Sequence, residues 1–203
     1  MSLLGHMHGR VVHRRRIAVL AECISALLPR GARVLDVGCG DGMIDALLQR
    51  QRPDLVVSGI DVLVRSHAQI PVASFDGRTI PYGTGSFDAV VLVDVLHHAE
   101  SPDALLREAA RVSRECLVLK DHLKEGLLAD QTLRLMDWVG NARHGVTLPY
   151  HYWTEREWQA AFARLDLTVQ SWNGRIGLYP WPAAWLFERS LHFLARLHKR
   201  APV

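Results

Sequence analysis

The chain is predicted to fold as an α/β domain, a mostly parallel sheet with helices on both faces. Three observations point there. A short β-branched run, Val34-Leu35-Asp36-Val37, stops at Gly38, Gly40 and Gly42, and a helical pattern begins at Met43. From Val34 to Asp121, strand-like and helix-like stretches alternate, which is the order of a parallel sheet. At 203 residues, 49% hydrophobic and 22% charged, the chain suits one well-buried domain.

Each element has its own signal. Ile17, Leu20, Ala21, Ile24, Leu27 and Leu28 recur at helical spacing, giving an amphipathic helix from Arg14 that Pro29 and Gly31 stop. The spacing divides the chain into this N-terminal helix, residues 1–30, and a main domain over 31–203. The first strand is Arg33–Val37. The helix from Met43 carries Ile44, Leu47 and Leu48 on one face and ends before Pro53. Leu55–Ile60 is the second strand, with Asp61 at its carboxyl end. Val72–Phe75 is a third, followed by the turn pair Asp76-Gly77.

Ala89–Val93 is the most continuously apolar strand and belongs at the sheet centre. It delivers Asp94-Val95-Leu96-His97-His98 to the carboxyl edge, where α/β ligands bind. Ser101 at the N-cap and Pro102 at the first helical position open a helix to Arg114. Cys116–Lys120 is the fifth strand, ending at Asp121-His122, and a helix is predicted over Leu127–Val139. Thr154-Glu155-Arg156-Glu157 is a capping box, so another helix runs to about Leu165, before a strand over Leu167–Trp172. Leu191-x-Phe193-x-Ala195-x-Leu197 alternates like a strand, although the same residues suit a helix.

Composition removes several classes. Cys23, Cys39 and Cys116 lack C-x-x-C spacing, which argues against a disulfide scaffold or a zinc site, and no metal constellation is legible. No apolar run approaches the roughly 18 residues of a membrane span, and no signal-type segment opens the chain. The expectation is a soluble, cytoplasmic protein. Of the net charge of +3, much of the basic excess sits at the ends, in Arg10, Arg14, Arg15, Arg16, Lys199 and Arg200. Without interleaved aromatics these read as solvated faces and not as a nucleic-acid surface.

The glycine loop carries the chemistry. Its spacing departs from the G-x-G-x-x-G of dinucleotide folds, and Asp41 sets a negative charge where a phosphate would approach. A cationic, amino-acid-like ligand end suits it better. Asp61 stands roughly 20 positions past the loop, where nucleotide folds place an acceptor for ribose hydroxyls.

Asp36-x-Gly38-x-Gly40-x-Gly42 after an apolar strand resembles the first motif of class I S-adenosylmethionine (SAM) dependent methyltransferases. Ile80-Pro81-Tyr82 through Ser86-Phe87-Asp88 is similar to that family's L-P-F-x-x-x-S-F-D segment, with Tyr82 for phenylalanine. Leu96-His97-His98 and Glu108-x-x-Arg111-Val112 match further motifs. The resemblance covers about Val34 to Lys120 and looks closest to the small-molecule group that includes quinone-biosynthesis and lipid methyltransferases.

It implies a Rossmann-like seven-stranded, mostly parallel sheet whose last strand is antiparallel, so Leu191–Leu197 closes the sheet. It implies SAM as cofactor, S-adenosylhomocysteine as product, and in-line methyl transfer to a small organic molecule. Backbone at Gly38, Cys39 and Gly40 would hold the methionine portion, with Asp36 and Asp94 near its ammonium. Asp61 and Val62 would meet the ribose, Asp76 and Gly77 the adenine, and His97 would also border the cofactor. Candidate bases are His97, His98 and His151, with His122 and His144 behind them, because histidine titrates near neutrality. His97 is best placed, just past the fourth strand.

A substrate lid is expected over about 122–153, where His144, Tyr150, His151, Tyr152 and Trp153 cluster. The N-P-P-Y signature for a flipped base is absent, which argues against nucleic acid. Two alternatives stand: a SAM-binding protein without catalysis, such as a partner subunit, and a membrane-surface enzyme acting on a lipid or quinone. Trp181, Trp185, Leu186 and Phe187 with nearby basic residues motivate the second.

Overall fold

The computed structural model describes residues 3–141, 151–181, 183–188 and 190–199. The expected lid residues His144 and Tyr150 lie outside them. In chain order the elements are α1 (Leu3–Leu27), β1 (Arg33–Val37), α2 (Met43–Gln51), β2 (Val56–Asp61), β3 (Val72–Ser74), β4 (Phe87–Val93) and a 3-10 turn over Leu96–His98. There follow α3 (Pro102–Val112), β5 (Ser113–His122), α4 (Ala129–Asn141), α5 (Glu155–Arg164), β6 (Leu167–Asn173), α6 (Ala183–Phe187) and β7 (His192–Lys199).

The seven strands form one sheet in the order β3-β2-β1-β4-β5-β7-β6. Its first five strands are mutually parallel, and β7 runs antiparallel to both β5 and β6. The Rossmann-like arrangement and the reversed last strand are therefore as predicted. The alternation at Leu191–Leu197 resolves to strand because β7 has partners on both sides.

The central strands present apolar residues to both faces because both are covered. Leu35, Val37, Val90, Leu92, Leu117 and Leu119 face a core closed by Leu105, Leu106 and Ala109 of α3 and Trp158 and Phe162 of α5. Val34, Ala89, Val91 and Val118 face a second core closed by Leu20 and Ile24 of α1 and Leu48 of α2. Successive strand residues point to opposite faces, so Asp36 shares the α1–α2 side with Val34.

Several boundaries differ from expectation. Helix α1 begins at Leu3, well before Arg14, because nothing upstream of Pro29 obliges a helix to stop. Strand β5 extends over Ser113–His122, past the polar residues that seemed to end it. Those residues are paired inside the sheet: Ser113, Lys120, Asp121 and His122 are all buried. Ser101 occupies the N-cap of α3 but its side chain makes no capping bond, so Pro102 and the Ser101 carbonyl start the helix alone.

Two motif residues act as clamps. Arg111 donates to the carbonyls of Ile80 and Tyr82 at 3.0 and 2.8 Å, while Glu108 accepts from the Ile80 amide at 3.0 Å. Together they pin the loop that precedes β4 against α3. The capping box at α5 is complete, with the Glu157 amide on Thr154 Oγ1 at 3.3 Å and the Thr154 amide on Glu157 Oε2 at 2.7 Å. Thr154→Ala should lower unfolding free energy by about 1 kcal/mol. Chemical denaturation would read this as a lower midpoint with an unchanged slope.

Candidate active site

The carboxyl edge of the sheet builds the site. After β1 the chain turns through Gly38, whose φ of +76° suits glycine. A Cβ there would also lie 2.5 Å from Val95 Cγ2. The loop is tied to β2 by Gly38 N to the Ile60 carbonyl at 2.7 Å and Gly40 N to Asp61 Oδ2 at 2.8 Å. The other Asp61 oxygen accepts from Leu63 N at 2.8 Å, so two amides orient the carboxylate. The turn amides of Thr79 and Arg78 hold Asp76 ionised, below the usual carboxylate range.

These residues border a cleft of about 780 Å3. Gly38, Gly40, Asp61, Val62, Asp76 and Gly77 line it, together with Asp94, His97, His98, Lys120 and His122. Asp36 and Cys39 border an adjoining cavity of about 120 Å3 together with His13 and Arg16 of α1. Burial first, then the carboxylates of Asp36, Asp45 and Asp61, push the Cys39 thiol up, so it stays protonated. His151 does not line either space and is exposed. Its amide donates to the His97 carbonyl at 3.2 Å, and extended backbone turns the next residue, Tyr152, inward instead.

A buried polar network borders the cleft. Asp94, at φ 56°, follows β4 and forms ion pairs with Arg16 of α1 and Lys120 of β5. Burial alone would raise the Asp94 carboxyl, but Lys120 and Arg16, then His122 and His97, hold it well below the usual range. Lys120 is lowered by burial against the pull of Asp94, and it also faces His192 Nδ1 at 3.2 Å. Burial, then Lys120, keep His122 and His192 well below the ordinary imidazole value, so both are neutral. His192 therefore accepts from Lys120 through Nδ1 and donates Nε2–H to the Phe187 carbonyl at 3.0 Å.

His97 has a dedicated partner. Its Nδ1 lies 2.6 Å from Asp121 Oδ1, and Asp121 also accepts from the Leu96 and His122 amides at 3.1 and 2.7 Å. An ionised carboxylate only accepts, so Nδ1 carries the proton and Nε2 is the basic nitrogen. The His98 ring lies 3.9 Å and the His122 ring 4.6 Å from that of His97, centroid to centroid.

Sequence spacing missed part of this assembly. Arg16 was read as a solvated helix face, yet its guanidinium reaches into the site. Lys120, Asp121 and His192 showed only as strand ends, and Asp45 of α2 gave no signal at all. Asp94, His97 and His122 present ligand atoms within 4.8 Å of one another, a trio that linear spacing could not reveal. Two cations already hold Asp94, so the trio belongs to the polar network and a further cation would be opposed there.

The fold is of the open-sheet α/β class, and its glycine loop is bordered by carboxylates. A family model described as a methyltransferase domain matches residues 11–171. The 27-O-demethylrifamycin SV methyltransferase of Amycolatopsis mediterranei is 32% identical over 110 residues, 47% of this chain and 40% of the relative. The ubiquinone biosynthesis O-methyltransferase of Xanthomonas oryzae pv. oryzae is 35% identical over 107 residues, 46% and 44% of the two chains. The chain thus spans less than half the length of these curated relatives. The YcgJ protein of Bacillus subtilis superimposes with a TM-score of 0.66 at 19% identity, covering 91% of this chain and 99% of that one, and shows the same fold. This chain belongs to the class I SAM-dependent methyltransferase family.

Asp94→Asn would leave the buried Lys120 ammonium and Arg16 without their counter-charge, at a cost of about 3 kcal/mol of stability. The depressed Asp94 carboxyl contributes stability above its unfolded value of about 3.9 and loses it as pH falls through the folded one. The gap between wild type and variant should therefore be full at pH 7 and close below about pH 4. Denaturant unfolding across that range checks it.

Proposed function

We propose that this protein transfers a methyl group from SAM to an ionisable hydroxyl of a small organic molecule. The observation that carries the reading is the His97–Asp121 pair, which borders the same cleft as the glycine loop. The donor set fits the cofactor. Asp36, Asp41 and Asp61 surround the loop, and Asp36 Oδ1 is buried without a hydrogen-bond partner among the described residues. A cationic amino-acid end suits that charge, and a diphosphate does not. Asp61 would accept from ribose hydroxyls and Asp76 from the adenine amine. When bound, SAM supplies an electrophilic methyl on a sulfonium.

The chain's own residues do the rest. His97 Nε2 takes the acceptor's hydroxyl proton, and Asp121 fixes the ring and stabilises the imidazolium that forms. Neutral His122 and Phe75 shape the walls, while Lys120 keeps a positive charge near the developing oxyanion. The names of the two relatives, both acting at oxygen, support an oxygen acceptor.

Calorimetric titration should show micromolar SAM binding that weakens at least about tenfold in Asp61→Ala, which loses its ribose acceptor. With labelled SAM and a panel of phenols and enols, His97→Ala should lower kcat by about 10²–10⁴-fold, and the loss should shrink as pH approaches the acceptor's own pKa. A folded wild type that binds no SAM overturns the reading. Binding without transfer to any acceptor would leave the non-catalytic alternative.

A second reading, the same chemistry at an anionic bilayer, is favoured by Trp181 and Trp185, 87% and 74% exposed, and by Leu127 at 86%. Arg15 of α1 donates to the Gly177 carbonyl at 3.1 Å, which sets the basic Arg14–Arg15 pair beside the segment leading to Trp181. Aromatic and cationic side chains together suit a lipid interface. Among the described residues no helix is long and apolar enough to cross a membrane. Co-sedimentation with phosphatidylglycerol vesicles that exceeds that with phosphatidylcholine, and falls in Trp181→Ser/Trp185→Ser, is expected. Equal or absent co-sedimentation overturns this reading.

A further inference from the structure

Two carboxyls lie buried side by side beneath the glycine loop, and only one belongs to the glycine motif. Asp36 comes from β1 and Asp45 from the first turn of α2, and they are 3% and 2% exposed. Among the described residues Asp36 Oδ1 and Asp45 Oδ2 find no hydrogen-bond partner. Each carboxyl lies close enough to act on the other's ionisation. Two neighbouring buried carboxyls with unpartnered oxygens disfavour ionising together, which leaves a proton on the pair. Among the described residues no cation is paired with it. Cys39 and Asp41 of the loop, and Asp61 of β2, add only neutral or negative groups. Arg16 and His13 of α1 border the same small cavity, but the Arg16 guanidinium is committed to Asp94.

We propose that Asp45 is a positioning residue that shares one proton with Asp36, so that a cationic amino-acid end docking on Asp36 expels that proton and ligand affinity rises with pH. The inference rests on the cofactor reading above and deepens it. The balance is simple: an α-ammonium approaches Asp36, the shared O–H bond breaks, and the proton leaves to solvent, so that a dianionic pair faces the ligand's positive charge. Asp45 touches no ligand. It acts through Asp36 by setting how much charge Asp36 carries before the ligand arrives.

The titration range follows from the same surroundings. Burial pushes the Asp45 carboxyl up to about 6, and burial with the charge of Asp45 raises Asp36 well above the usual carboxylate range. A cationic ligand favours the ionised pair, so binding releases protons and tightens as pH rises through this range. The ligand-free fold shows the opposite trend. Carboxyls raised in the folded state stabilise it at low pH, and that contribution is lost as pH rises through the folded values.

The test uses S-adenosylhomocysteine, which keeps its ammonium charged over pH 5.5–7.5. Titrations in buffers of different ionisation enthalpy should show wild type releasing about half a proton or more per ligand, with affinity rising about fivefold or more across the range. In Asp45→Asn an amide N–H would bond Asp36 and leave it ionised throughout, so release and pH dependence should both fall by more than half. His13, His97, His98 and His122 border the same spaces in both proteins, so the difference isolates the pair. Asp45→Ser, which offers a hydroxyl donor, should behave the same way and serves if the amide variant does not fold.

Thermal melting without ligand gives an independent arm. The wild type's melting temperature minus that of Asp45→Asn should fall between pH 5 and 7.5. Binding with no proton release, or equal release in wild type and variants, overturns the proposal while the cofactor reading stands. Absence of binding at every pH overturns the cofactor reading and, with it, the docking step. A flat melting difference overturns the shared proton whatever the ligand does.

Discussion

The site depends on one carboxylate. Asp94 leaves β4 at a positive φ and gathers Arg16 from α1 and Lys120 from β5, while Lys120 reaches on to His192 of β7. Residues 16, 94, 120 and 192 therefore meet at one point of the carboxyl edge. A buried ammonium is tolerated there only because a counter-charge and a neutral imidazole both accept from it. The N-terminal helix is tied to the sheet by this ion pair as well as by the apolar face of Leu20 and Ile24.

The sheet explains why such a concentration of charge is affordable. Strands β1, β4 and β5 send apolar residues to both faces through their middles, and Asp36, Lys120, Asp121 and His122 stand toward the carboxyl ends. The edge is where backbone pairing runs out and where loops leave room for a ligand. Asp121 shows the economy of the arrangement. One buried carboxylate orients the His97 ring, holds the Leu96 amide at the start of the 3-10 turn, and accepts the amide of His122.

What could be read from the linear chain follows the range over which each signal acts. The glycine loop, Asp61 and the capping box at Thr154 are local patterns, and the structure places the elements they imply. The alternation of Leu191–Leu197 was ambiguous alone and became a strand through pairing with β5 and β6. Lys120-Asp121-His122 looked like the end of a strand because polar residues usually leave a buried sheet. They remain inside it because partners from positions 94, 97 and 192 satisfy them. Arg16 and Asp45 were illegible for the same reason: each is an ordinary helix residue until the fold sets it opposite one particular acid.

Two sets of buried carboxyls at the site use opposite electrostatic solutions, and the contrast bears on the proposed chemistry. Asp94 is charged because Lys120 and Arg16 hold it so, and its neighbours His122 and His192 stay neutral. Asp36 and Asp45 are paired with no cation among the described residues, and burial raises both. On the proposed reading, a ligand with a cationic amino-acid end would bring positive charge to Asp36 and find Asp94 already balanced. The ion pairs of Asp94 with Arg16 and Lys120 would then stay intact beside His97 when the cofactor binds.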